Sequence, residues 1–390
     1  MKAFKPTILS ILIITCTNSI AQGMDVAKYY SIAKEIAQHG VEDARKVIDS
    51  PLGSAALNGL TSLHFAAAHN SVRMAKLIIE SAPDDQKATI IMKRDIHGGT
   101  PLHAAVACTD NTEMVRLLLS VVPKEQRLEF IMAKVNLDEI KESDTAFMIA
   151  ILKNNFEMVK LMLEAVHAEQ RAALIMAKHS SGPESEPSIL FEIVQYHCME
   201  TAKIALECIP ADERAAFIMR KNGKGSSAFH LALIMRDTEM VKMLLESIPM
   251  EQRIAIIMDK NRNGDTALHL TSKFANAELT RMLLESIPME QRAAVIRDEN
   301  RGGNTVLHLT FEIGDAEVMR MLLASIPMHQ WVGFLMIKNS NGETVIDYAE
   351  RHGQQQCAQL LAKYCQDMEA LEQIKKHAQD DDGEIGRAHV

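Results

Sequence analysis

Histidine is the side chain that would carry chemistry in this sequence, as a metal ligand or a general base, and the chain holds 15 of them. A shared metal needs imidazoles that converge, as two histidines one helical turn apart do in His-Glu-x-x-His. His64 and His69 stand five apart, which turns them to different faces of one helix. No His-Glu-x-x-His, paired Cys-x-x-Cys or Gly-x-Ser-x-Gly is present. The string Lys221-Asn222-Gly223-Lys224-Gly225-Ser226 has the glycines of a phosphate loop without its spacing or a preceding strand. Glu184, Glu186, Glu192 and His197 are the local candidates for an acid–base site. The other carboxylates fall where a solvated helix face would place them. No catalytic constellation emerges, so the expectation is a non-enzyme with no metal and no cofactor.

The histidines make sense once the elements that position them are found. Asn263-Gly264-Asp265-Thr266-Ala267-Leu268-His269 returns as Gly303-Asn304-Thr305-Val306-Leu307-His308, and in decayed form as Gly342-Glu343-Thr344-Val345-Ile346-Asp347. Walking back, the threonine slot is filled by Ser227, Pro187, Thr145, Thr100 and Thr61, with successive spacings from Thr61 of 39, 45, 42, 40, 39, 39 and 39. Self-similarity at such a period marks a stacked solenoid whose units bury their apolar faces only against one another. The histidine slot reads His64, His103, Met148, Leu190, His230, His269, His308 and Asp347. Five of eight are intact, which assigns these imidazoles to architecture.

The best copy is Gly98-Gly99-Thr100-Pro101-Leu102-His103-Ala104-Ala105, followed by Glu113-Met114-Val115-Arg116-Leu117-Leu118-Leu119. It resembles an ankyrin repeat: a turn, a Thr-Pro-Leu-His helix start, and a second helix ending in paired leucines. The resemblance implies an all-α ankyrin-type solenoid in which threonine and histidine hydrogen-bond at the helix start and Leu and Ala pack between units. It also implies a protein partner held by turn tips and the concave face of the first helices. One departure is the length of the period, against about 33 residues for an ordinary ankyrin unit. The added stretch is itself repeated, as Ser247-Ile248-Pro249-Met250-Glu251-Gln252-Arg253, Ser286-Ile287-Pro288-Met289-Glu290-Gln291-Arg292 and Ser325-Ile326-Pro327-Met328-His329-Gln330-Trp331. Pro83, Pro123 and Pro210 mark weaker copies, with His167 in the proline slot of the third. Proline stops one helix and can open another, the glutamate suits a helix N-terminus, and the pairs Ile131-Met132, Ile175-Met176, Ile218-Met219 and Ile257-Met258 would dock a third, short helix.

The organisation follows. Residues 1–21 read as a signal peptide, with basic Lys2 and Lys5, an apolar run too short to span a bilayer, and cleavage after Ala21. Residues 22–56 read as N-terminal capping helices, 57–365 as eight repeats, 366–379 as a C-terminal capping helix, and 380–390 as a disordered acidic tail. The third and fourth units carry wider loops at residues 135–144 and 179–187. Aromatics make up only 4% and methionines number 24, mostly at helix-periodic positions beside Ile and Leu; that pattern suits adaptable helix packing and not a base-stacking surface. Removing residues 1–21 takes Lys2 and Lys5 and no acid, moving the formal charge from −9 to −11, which argues against nucleic acid as a partner. Cys108, Cys198, Cys208, Cys357 and Cys365 then remain, an odd number without framework spacing, so free thiols and a reducing destination are expected.

A partner would meet the first-helix positions five and six residues past the leucine slot: Ile234 and Met235, Lys273 and Phe274, Glu312 and Ile313. Earlier units place Ala68 and His69, Ala107 and Cys108, Leu152 and Lys153, Val194 and Gln195 there. The turn tips add a basic edge from Lys221, Lys224, Lys260, Arg262, Arg297, Arg301 and Lys338. The expectation is a monomeric, non-enzymatic scaffold for protein partners, exported through the inner membrane, with no membrane span once the leader is gone. Long repeats behind a leader resemble ankyrin proteins of host-associated intracellular bacteria, which implies an effector engaging host proteins. The alternative is a periplasmic protein that binds or protects another exported factor.

Overall fold

The computed structural model describes residues 61–95, 98–137, 142–177, 188–223 and 225–354. The expected leader, N-terminal cap, closing helix and acidic tail lie outside the described residues, as do Pro187, Lys224, Cys357 and Cys365. The chain forms two compact units, Met1–Pro210 and Ala211–Val390. Each is all-α in architecture, and 22 α-helices occur among the described residues.

A repeat is built from two antiparallel helices and a short third one. In the first unit these are Ser62–Ala68, Val72–Ser81 and Asp84–Ile91, then Pro101–Cys108, Thr112–Val121 and Arg127–Ile131, then Ala146–Leu152, Phe156–Ala165 and Ala168–Met176, ending with Ile189–Gln195 and Met199–Glu207. The second unit runs from Ala211–Ile218 through the triplets Ala228–Met235, Thr238–Glu246, Met250–Ile257 and Ala267–Lys273, Ala277–Glu285, Met289–Arg297 to Val306–Ile313, Ala316–Ala324, Trp331–Leu335 and Val345–Arg351.

The second helices show why the stack holds. Met114, Val115, Leu118 and Leu119 are buried, as are Met240, Val241, Leu244 and Leu245, the i, i+1, i+4, i+5 stripe of a helix with one face inward. Short polar residues start these helices: Asn111, Asn155, Asp237, Asn276 and Asp315 each accept a first-turn backbone N–H on the side chain. The tight turn between first and second helices uses a left-handed residue in every repeat from the first to the seventh but the second: Asn70, Asn154, His197, Arg236, Ala275 and Gly314. Within the first unit, Lys153 donates from Nζ to the carbonyls of Val106, Ala107 and Thr109 at 3.1, 3.2 and 3.1 Å and pairs with Asp110 at 2.8 Å. That cation satisfies the open end of the preceding repeat's first helix.

Three sequence expectations change. The fourth repeat is capped by Ser188, whose Oγ accepts from the backbone N–H of Leu190 at 3.3 Å, so the anchor is one residue later than Pro187. From Ser188 onward every step is then 39, and the histidine slot holds Phe191 instead of Leu190. The loop at 135–144 contains an antiparallel hairpin, β1 (Lys134–Leu137) and β2 (Glu142–Thr145), paired Lys134 to Thr145. Single antiparallel bridges at the same place, Lys221 to Ser227 and Glu299 to Thr305, show it as an elongation of the ordinary tip. Finally, the pair that docks the third helix is shifted by one: Phe130 and Ile131, Leu174 and Ile175, Phe217 and Ile218, Ile256 and Ile257 are buried, while Met132, Met176, Met219 and Met258 lie half-buried at or just past the helix end.

The recurring arginine of the third helix has a role that hydrophobic patterning does not reveal. Arg127 donates from Nε to Val122 O at 2.9 Å and from Nη1 to Ala165 O at 3.1 Å. Arg171 reaches Leu163 O, Arg214 reaches Ser247 O, and Arg292 reaches Ile287 O. These donors satisfy carbonyls left open where the second helix ends. Trp331 takes the arginine's place in the seventh repeat, and its indole N–H makes the same bond, to Ile326 O at 2.9 Å. Trp331→Phe keeps an aromatic side chain but deletes the donor together with the five-membered ring, so a loss of at least about 1 kcal/mol is expected in urea unfolding; an unchanged midpoint would deny the bond that role.

Candidate partner-binding face

The first helices are fixed at their starts by threonine or serine and by histidine. Thr266 donates its backbone N–H to His269 Nδ1 at 3.3 Å, and Thr266 Oγ1 lies 2.8 Å from the same nitrogen. An amide can only donate, so Nδ1 is bare and the proton sits on Nε2, which donates to Asn304 O at 3.0 Å in the next repeat. The arrangement recurs with His64 to Gly99 O, His103 to Ala133 O, His230 to Asp259 O and His308 to Glu343 O. Burial pushes the imidazoles of His64, His230, His269 and His308 below their ordinary value, outweighing the carbonyl bonds that favour the charged form. These are neutral struts between repeats and not bases. Asp347 replaces the Nδ1 function with Oδ2, accepting from Thr344 N at 2.9 Å and Thr344 Oγ1 at 2.8 Å. Among the described residues, no three His, Cys, Asp or Glu come together as a metal site. Glu192 and His197 sit on the fourth repeat's first helix and the turn after it, and Glu184 and Glu186 lie outside the described residues.

Fixing the helix starts fixes what their ends present. Ile234 is 40% exposed and Ile313 44%; Lys273 is exposed, while Met235, Phe274 and Glu312 are half-buried. Arg236 donates from Nη2 to Phe274 O at 2.6 Å and Tyr348 Oη donates to Glu312 Oε2 at 3.1 Å, each tying neighbouring first-helix ends. The second unit therefore presents apolar side chains at the ends of three successive first helices. The earlier repeats match that expectation only in part: His69 and Gln195 are exposed, and Ala68, Cys108 and Leu152 are half-buried. Ala107 and Val194 are buried, and the Lys153 head group is occupied by backbone carbonyls. Val194 is inward because the register moves with Ser188, which puts exposed Gln195 in its place.

The tips stack as a ladder. Asn300 Nδ2 donates to Asp265 Oδ1 at 2.8 Å and Asn339 Nδ2 to Asn304 Oδ1 at 3.0 Å. Backbone bonds run alongside, Arg301 N to Asn263 O and Ser340 N to Gly302 O, both 3.0 Å. Asn222, Asn261, Asn300 and Asn339 recur every 39 residues; that spacing is the sequence signal of this ladder, and the charged tip residues do not reveal it. The basic edge is thinner than its residue count suggests. Lys221 pairs with Asp259 at 2.9 Å and donates to Lys260 O, and Lys260 pairs with Asp298 at 2.9 Å and donates to Glu299 O. Arg297 lies over the Phe334 ring, 5.8 Å from its centre. Arg262, Arg301 and Lys338 remain exposed. Lys224 lies outside the described residues.

Comparison with known proteins agrees with this geometry. The family model for ankyrin repeats matches residues 24–128 and 190–293, more than half of the chain. No curated protein matches it. Among solved structures, the crystal structure of the ankyrin repeat domain of Bcl-3, titled a unique member of the IkappaB protein family, is similar at a TM-score of 0.51 and 20% identity, covering 67% of this chain and 99% of that one. That likeness concerns the fold. The chain belongs to the ankyrin-repeat family.

Proposed function

We propose that this chain is an exported, non-enzymatic scaffold that captures a protein partner on the first-helix ends of its fifth, sixth and seventh repeats, and that its partner is a host protein. Ankyrin repeats are in general protein–protein interaction modules. The observation that carries the site is the exposure of Ile234 and Ile313 beside half-buried Met235 and Phe274, apolar surface where solvent favours polar side chains. Lys273 and Glu312 border it and would supply orientation. Export rests on the leader-like residues 1–21. A reducing destination is supported by the free thiols Cys198 and Cys208; burial pushes the Cys198 thiol up to about 11, which keeps it protonated and unreactive.

The test is affinity capture with residues 22–390 against host cytosolic extract and against periplasmic extract. Changing Phe274 and Ile313 together to Asp should abolish saturable capture, a loss of at least about 100-fold, with the helical circular dichroism unchanged. Capture that survives both changes removes the face assignment. Capture confined to a periplasmic protein moves the function into the bacterial envelope, as a binder or protector of another exported factor.

A further inference from the structure

The tips of the second unit enclose a groove of about 620 Å³ lined by Lys221, Lys260, Arg262, Glu299, Asn300 and Arg301, together with glycines. Its charges divide into two groups. Lys221 and Lys260 are matched by Asp259 and Asp298, and Glu299 adds one exposed carboxylate. Arg262 and Arg301 are exposed, and no ion pair of either is found among the described residues.

Their placement is built into the repeat. A methyl group at Gly225 would lie 3.1 Å from Arg262 Cβ, and one at Gly264 would lie 2.6 Å from Arg301 N and 3.1 Å from Arg301 Cγ. Each arginine stem thus crosses the glycine of the preceding tip, which sets the two guanidinium groups one repeat apart, roughly 8–10 Å for stacked helices. A guanidinium offers planar paired donors that match a carboxylate. A run of carboxylates at peptide spacing can reach both arginines.

The occupant that fits is in the same chain. Asp380, Asp381, Asp382 and Glu384 are the densest acidic run of the sequence. The chain is acidic overall, with a formal charge of −9, so a free acidic ligand approaches this edge against long-range repulsion. A tethered segment escapes that disadvantage, because linkage gives it an effective concentration on the order of millimolar. Asp380 lies 26 positions past Gln354. That stretch reaches about 40 Å if helical and about 90 Å if extended, several repeat spacings in either case. We propose that residues 380–384 dock in cis across Arg262 and Arg301 and shield this edge from other acidic ligands.

The experiment uses the whole chain and a fluorescein-labelled synthetic peptide with the sequence of residues 378–386. Asp380→Asn, Asp381→Asn, Asp382→Asn and Glu384→Gln together neutralise the chain's own segment. The peptide should bind this variant about fivefold more tightly than wild type, the difference should vanish in 0.5 M salt, and Arg262→Ala with Arg301→Ala should abolish binding. In wild type, carbodiimide should join a carboxylate of residues 380–384 to Lys221 or Lys260 within one molecule. Equal affinity for wild type and the neutralised chain, or absence of that cross-link, overturns the cis contact. Binding that ignores the arginine changes overturns the groove. The Phe274 and Ile313 changes should leave every one of these readouts unmoved, so failure here is separable from failure of the first-helix face.

Discussion

Gly264→Ala should cost about 3–4 kcal/mol, whereas Gly342→Ala, at the same position of a later tip, should cost about 1–2 kcal/mol. Both glycines are left-handed, with φ of +78° and +79°, so both substitutions bear the strain of an L side chain there. Only the first meets a neighbour. A methyl at Gly264 would stand 2.6 Å from the backbone nitrogen of Arg301, while one at Gly342 meets nothing within 4 Å among the described residues. Backbone cannot swing aside as a side chain can. The tips must separate, and the bond from Arg301 N to Asn263 O is lost with them. Because a repeat array unfolds by neighbouring units, the measurement is the urea midpoint of each variant with amide exchange at Arg301. Equal costs for the two glycines would show that the tip ladder does not couple repeats.

Acid should loosen the array, and His269→Ala should do so at neutral pH by about 2–4 kcal/mol, since it leaves the Thr266 N–H and the Asn304 carbonyl without partners in a buried site. The histidine struts require a bare Nδ1. Protonation turns that acceptor into a donor facing another donor. Burial lowers the folded-state value of His64, His230, His269 and His308, so below about pH 6.5 the unfolded chain binds protons that the folded chain does not. Stability from these groups is complete above that value and declines as pH falls through it toward the lowered folded values. Urea midpoints at pH 7.5, 6.5 and 5.5 should therefore drop in sequence, and the drop should shrink in a chain carrying His230→Gln and His269→Gln. A midpoint that rises on acidification contradicts the tautomer assigned here.

Much of this was legible because a solenoid repeats its physics. One period locates the capped helix starts, places the histidines at fixed slots, and separates architecture from chemistry. The apolar exposure at Ile234 and Ile313 was read from spacing alone, since a short helix with a fixed start has a fixed outward face. Where the spacing drifts, near Pro187, the period no longer fixes the register: the cap falls on Ser188, one residue later, and Val194 is buried.

What the sequence determines by itself is local and periodic: the cap chemistry of Thr and Asn, the proline that follows every second helix but the third repeat's, the stripe of Met, Val and Leu, and the family to which they belong. These follow from interactions within about four residues, repeated. Tertiary structure alone decided which groups meet between separate helices and across a repeat boundary. The arginine of the third helix closes open carbonyls, Lys153 caps a neighbour's helix, and Lys221 and Lys260 are matched by Asp259 and Asp298, leaving Arg262, Arg301 and Lys338 to give the edge its charge. Those partners lie about one repeat period apart or on separate elements, and side-chain reach in three dimensions, not residue type, selects them.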